Sequence, residues 1–237
     1  MGGRTLLRGL LMGAALTVSF WMAEALAIVV APTAVYITDG EPSSMVTLYN
    51  PSNVPEEVTV GTLFGYPTTD EDGRLYLHVD SAGDDPRSAA AWIRALPRRV
   101  VVPPGERRVV RLLARPPAGT PDGEYWTRLV LTSRGQRIPV EGGDSAEVSV
   151  GLNMQVRTII SVTYRKGEVT TSVGVDELDA EFRGDSLVVR PSLTRLGEGA
   201  YIGTMRLALA TADGVEVASW DEQVAVYRAY GRRYAYE

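Results

Sequence analysis

Few residues of this chain could do covalent chemistry. There is no cysteine and one histidine, His78. Without a thiol there is no thiolate nucleophile, zinc–thiolate site or disulfide. His78 sits in Leu75-Tyr76-Leu77-His78-Val79, with no Ser or Cys motif around it. It reads as a surface or half-buried residue rather than a general base. Acids cluster twice. Asp70, Glu71 and Asp72 precede Gly73 but lack the spaced ligands of a calcium loop, so a solvated hairpin tip is expected. Asp176, Glu177, Asp179 and Glu181 could supply a glycosidase's paired carboxylates. Nothing in the sequence fixes two of them across a cleft, and a turn is expected there. No G-x-S-x-G, Walker or dinucleotide loop is present. The chain reads as a non-enzyme that uses no metal and no cofactor.

What is left is a chemistry of binding, carried by one segment. From Glu147 to Tyr164 the even positions are Val148, Val150, Leu152, Met154, Val156, Thr158, Ile160, Val162 and Tyr164. The odd positions are mostly polar and include Arg157. A period of two means that one face of a strand is apolar. At ~3.4 Å per residue the run would span about 60 Å, against ~17–20 Å for an ordinary strand. It is either two strands with a hinge or one strand that reaches between domains. An ordinary core strand alternates in the same way. Arg157 by itself reads as a solvated charge sooner than as an anchor.

The rest of the chain must position that segment, and it is nearly all strand. The 237 residues, 45% of them hydrophobic, suffice for one large domain or two ordinary ones. Ile28–Ile37 is apolar, with Pro32 at a bend. Met45–Asn50, Glu57–Phe64, Leu75–Val79, Arg98–Val102, Arg107–Ala114 and Glu124–Thr132 follow, separated by Gly, Pro, Asn and Asp. This spacing predicts an all-β sandwich. One interruption, Pro86–Arg94 with its three alanines, predicts one or two helical turns with Trp92 tucked inward. Pro103-Pro104-Gly105-Glu106 lies between two Val-rich runs and reads as a tight corner. Arg165–Glu168 ends the long alternation. A second β set follows in Val169–Val175, Ser186–Thr194, Ile202–Ala210 and Val224–Tyr230, with a hairpin signal at Asp213-Gly214. The expected domains are 28–164 and 165–237, the second small for a complete sandwich.

Residues 1–27 have the form of a secretory signal: Arg4 and Arg8, an apolar run from Gly9 to Met22, and Ala25-Leu26-Ala27 as a cleavage site. The rival reading is an uncleaved anchor, but the run is shorter than the ~20 residues a spanning helix needs. Cleavage after Ala27 would release an exported chain that does not span a membrane. The formal charge is −5. An acidic chain is a poor candidate for sequence-independent nucleic-acid binding, which rests on basic surface.

Several segments, in order, resemble the periplasmic pilus-assembly chaperones of chaperone–usher systems. They are Ala31-Pro32-Thr33, Val46-Thr47-Leu48-Tyr49-Asn50-Pro51, Pro97 through Glu106, Val110-Arg111-Leu112 and Asp122-Gly123-Glu124-Tyr125. The likeness covers most of 28–165 and the remainder loosely. It implies two immunoglobulin-like β-sandwich domains at an angle, a periplasmic location and no catalysis. The partners it implies are a pilin-like or other secreted subunit and an outer-membrane usher. The chaperone would lend the subunit an edge strand, here Val148, Val150, Leu152, Met154 and Val156, with Pro103–Glu106 as scaffold. Two basic residues in the family's cleft grip the subunit's terminal carboxylate. Arg157 matches one by its spacing, and Ala34 stands at the position of the other. The competing reading is an immunoglobulin-like structural module of an envelope assembly, without client release.

Overall fold

The computed structural model describes residues 27–80, 84–139 and 151–236. Among them every regular element is a strand. In chain order these are β1 (Val29–Ala31), β2 (Ala34–Thr38), β3 (Ser43–Tyr49), β4 (Glu56–Thr69), β5 (Leu75–Asp80), β6 (Ile93–Leu96), β7 (Arg99–Val102) and β8 (Arg107–Ala114). Then come β9 (Gly123–Pro139), β10 (Gly151–Lys166), β11 (Val173–Arg183), β12 (Ser186–Arg195), β13 (Tyr201–Ala210), β14 (Glu216–Val226), β15 (Ala229–Tyr230) and β16 (Tyr234–Tyr236). The chain is all-β, in two successive sandwich-like units.

The first unit packs a four-stranded sheet, in the order β1-β3-β8-β6, against a six-stranded one, in the order β2-β10-β9-β4-β5 with β7 also on β4. The Ile28–Ile37 run serves both. Pro32 cannot donate to a ladder. On either side of it β1 joins β3 and β2 joins β10, so the chain changes sheets there. Alternate residues face inward: Val35 and Ile37, Val46 and Leu48, Val58 and Val60, Val110 and Leu112, Leu129 and Leu131, Ile160 and Val162 are all buried. Full burial of each such side chain is worth ~1.5–3 kcal/mol.

The expected Pro103–Glu106 corner joins β7 to β8. β7 lies on β4 and β8 lies on β3, so the corner carries the chain from one sheet to the other. Buried Asn50 clasps it. Its side-chain amide donates to Val102 O (2.9 Å) and Val54 O (2.7 Å). Its backbone exchanges hydrogen bonds with Gly105 and Glu106. One expectation changes here: Pro86–Arg94 is not helical. One α-type bond forms, Ile93 N–H to Ala89 O at 3.0 Å, and then the chain extends into β6. Pairing of β6 with β8 outweighs the propensity of three alanines. Trp92 is half-buried and meets the ring edges of Tyr125 and Tyr164 at 5.6 and 5.0 Å.

In the second unit β11 pairs with β12, which also takes β15 and β16. β13 and β14 form a hairpin closed at Gly214, which has the left-handed φ (87°) that glycine supplies without strain. A smaller core of Leu193, Val224, Val226 and Tyr230 lies between the two layers. The acidic run Asp176–Glu181 is strand, contrary to the expected turn. It lies in edge strand β11, where charges can remain in water, and the turn comes later at Gly184 (φ 62°).

Candidate functional site

The long alternating segment behaves differently along its length. β10 pairs with β9 throughout, from Gly151 opposite Pro139 to Lys166 opposite Gly123. On its other side β2 covers only Ser161–Arg165, in parallel. From Gly151 to about Ile160 one edge of β10 therefore has no strand partner among the described residues. Ile160, Val162 and Tyr164 are buried in the core, whereas in-phase Val156 is only half-buried. Val148 and Val150 lie outside the described residues. Leu152 and Met154 lie in the unpaired-edge stretch of β10, in phase with Val156.

Arg157 lies on the opposite face of this stretch, exposed, across from Thr132 and with no ion pair among the described residues. It is not beside Ala34. The residue next to Ala34 across the ladder is Ser161, and beyond it on β9 lies Arg128. Arg157 precedes Ser161 by four residues, roughly 13 Å along the strand.

Arg128 was not singled out from the sequence. A lone cation within Tyr125–Thr132 was the available signal. It is 7% exposed, its Nε donates to Gly65 O (2.9 Å), and its guanidinium lies 5.2 Å from the centre of the Tyr227 ring. Its Nη2 has no hydrogen-bond partner. Arg128 is thus enclosed between the two units rather than offered to a ligand.

The same face of the six-stranded sheet seats the second unit. Glu124, 1% exposed, is the hub. Its Oε1 accepts from the Trp126 indole (2.6 Å) and the Ala200 backbone N–H (2.9 Å). Its Oε2 accepts from Arg165 Nε at 2.8 Å. One carboxylate thereby ties β9, β10 and the second unit together. Phe64, Tyr66, Trp126, Ala200 and Tyr227 form a buried cluster between the units. Arg228 pairs with Asp85 and stacks over Tyr66. Arg195 stacks over Trp126, and burial, then the nearby Arg87 guanidinium, lowers its pKa while Glu124 opposes the shift. Burial, reinforced by the Tyr227 phenol, raises the Tyr36 pKa against the opposing effect of Arg165. At the hairpin tip Glu71 and Asp72 are exposed, as expected of a solvated tip, while Gly73 is buried and docked: the Arg233 N–H donates to Gly73 O (3.1 Å).

No family model matches this sequence, and no curated protein does. Several solved structures are similar in fold. One is the CsuC–CsuE chaperone–tip adhesion subunit pre-assembly complex from archaic chaperone–usher Csu pili of Acinetobacter baumannii. It is 12% identical over 90% of this chain and 88% of that one, with a TM-score of 0.49. Another is the E. coli chaperone DraB, 14% identical over 86% of this chain and 83% of that one, at 0.44. A third is the Salmonella enterica SafA pilin in complex with the SafB chaperone, 14% identical over 86% and 82%, at 0.45. At 12–14% identity the likeness is one of fold alone.

Of the cations near the cleft, Arg165 is held by Glu124, and Lys166 by Thr120 O and Asp122. Arg128 is enclosed. Arg157 and, across the ladder on β9, Arg134 are exposed and have no ion pair among the described residues; of the two, Arg157 lies on β10 itself. Among the described residues the arrangement offers backbone donors and acceptors, half-buried Val156 and the two exposed arginines.

Proposed function

We propose that this chain is an exported, periplasmic chaperone that binds a pilin-like or other surface subunit by lending it the free edge of β10. The observation that carries the reading is that edge: among the described residues it has no strand partner on one side from Gly151 to about Ile160, where Val156 is half-buried. Such an edge invites pairing with another chain unless something covers it. A subunit's open strand would pair with its backbone and receive Leu152, Met154 and Val156, in phase with Val148 and Val150, in successive pockets. The work is binding, with no bond made or broken. Delivery to an outer-membrane usher would follow. Arg157 would hold the subunit's terminal carboxylate in a bidentate pair, since it lies on the lending strand itself and has no ion pair among the described residues.

The test places a photo-crosslinking residue at Gln155 on β10, and as a control at exposed Arg111 on β8, in cells that export the chain. Adducts are identified by mass spectrometry. The expected result is an exported subunit captured from Gln155 and not from Arg111, and lost on Leu152→Glu while the free protein's melt persists. Equal capture from both positions, or none, overturns the reading. With that subunit's C-terminal peptide, Arg157→Ala should weaken binding about tenfold to a hundredfold, the worth of a charge-assisted hydrogen bond. Amidating the peptide should do the same.

A further inference from the structure

The second unit has an edge of its own: among the described residues β11 pairs only with β12, and every residue from Val175 to Arg183 is exposed. Three of these are large and apolar: Val175 at 68%, Leu178 at 56% and Phe182 at 71% exposed. Their cross-strand partners on β12 are Leu193, Pro191 and Leu187. Leu193 and Pro191 are buried, so these three continue the inner face of the sheet past its covered part. The opposite face of β11 is acidic, with Glu177, Asp179 and Glu181 in alternation after the bulge. Glu181 bridges Arg183, but Glu177 and Asp179 have no ion pair among the described residues. An eleven-residue edge with apolar side chains on one face is one that proteins ordinarily cover or blunt.

The other half of such a pair is in the same chain. The free stretch of β10 has an apolar face through Val156 and a cationic one through Arg157, with exposed Arg134 opposite Gln155 on β9. Neither arginine has an ion pair among the described residues. Among the described residues both edges lack a strand, both carry apolar side chains on one face, and the other faces have opposite charge. We propose that β11 is a docking edge for a second copy of this chain, whose β10 free edge adds to it as a further strand. The contact is heterologous: each copy offers one donor and one acceptor, so two copies can close on each other or chains can grow. Burying Val175, Leu178 and Phe182 supplies the driving force, and the opposite charges select the pairing. The pairing shares the β10 edge with the proposed function and would cover that edge in the absence of a subunit. It does not depend on that function.

The test is sedimentation velocity of the purified full chain over a concentration series, in low and in high salt. The expected result is an average mass that rises above the monomer with concentration and falls back as salt screens the charges. Glu177→Lys/Asp179→Lys should weaken association at least about tenfold, and so should Arg157→Glu. All three residues are exposed, so both variants should melt like the parent. An equimolar mixture of the two variants sets a reversed donor against a reversed acceptor and should associate where neither does alone. A chain that stays monomeric throughout, or an association that both reversals leave unchanged, overturns the proposal. Capture of a subunit from Gln155 should survive Glu177→Lys/Asp179→Lys, so this proposal and the subunit reading fail separately.

Discussion

The first sandwich and the second unit are both built of alternating strands, but alternation ends in burial in only one of them. In the first, two broad sheets face each other, and residues such as Val46, Leu48, Val58, Val102, Val110 and Leu112 are fully enclosed. In the second, the β13–β14 hairpin is opposed by a sheet of one long pair and two short strands. Residues of the same kind, Val175, Leu178 and Phe182, remain in water there. A period of two specifies which face of a strand is apolar. Whether that face is buried depends on whether another layer reaches it, and this is set by distant parts of the chain.

That contrast can be broken most directly in the cores. Leu48→Ala and Leu193→Ala remove the same atoms from buried sites, and such changes cost ~2–5 kcal/mol. Leu48→Ala should fall near the upper end and Leu193→Ala near the lower, because the thinner unit can collapse around the gap. Urea denaturation of both variants measures this, and equal losses would mean that the units are equally well packed. Next in size is Glu124→Gln, which keeps the shape but weakens the pair with partly exposed Arg165. A loss of about 2 kcal/mol is expected, together with faster exchange of the Ala200 amide. A loss without that exchange would place the role of Glu124 within the first unit alone.

A smaller effect is expected at Glu56, a buried carboxyl at the start of β4. Burial raises its pKa, opposed by a hydrogen bond with Ser133. The folded chain therefore holds this proton more tightly than the unfolded chain does. The contribution of Glu56 is most favourable below the ordinary carboxyl range, about pH 4, and is lost as pH rises through the raised value. Glu56→Gln should stabilise the protein at neutral pH and remove that part of the slope, as melts at pH 4 and 7 would show. The smallest effect is expected for Phe182→Ser in the monomer. At 71% exposure, its loss should shift stability by no more than ~0.5 kcal/mol. A large loss would mean that β11 is covered within its own molecule.

These contrasts also explain what the sequence disclosed. The run Val148–Tyr164, the Asp213-Gly214 hairpin and the Pro32 bend are local patterns, and the strands they predicted are present in the described residues. The helical turns expected at Pro86–Arg94 did not form, because the competing partner, β8, lies twenty residues further on. The acidic run reads as a turn in the sequence because its charges mask a strand that an open edge can accommodate. Arg128 reads there as a cation in a strand, and Glu124 only as part of the Asp122–Tyr125 segment. Their significance depends on Tyr227 and Ala200, about a hundred and about seventy-six residues away, and no spacing rule reaches that far.

The contact at Gly73 makes the junction between the units observable. A Cβ there would lie 2.8 Å from both Arg233 N and Gly231 O, and the backbone has a left-handed φ of 75°. Glycine is therefore required twice, once for the turn and once for the approach. The Arg233 amide gives its proton to a carbonyl on the other unit, so it can exchange with solvent only when the units part. Its protection factor is thus a native, label-free gauge of how often this junction opens. Changes in it on subunit binding would report, from a site far from β10, whether the two units move as one body.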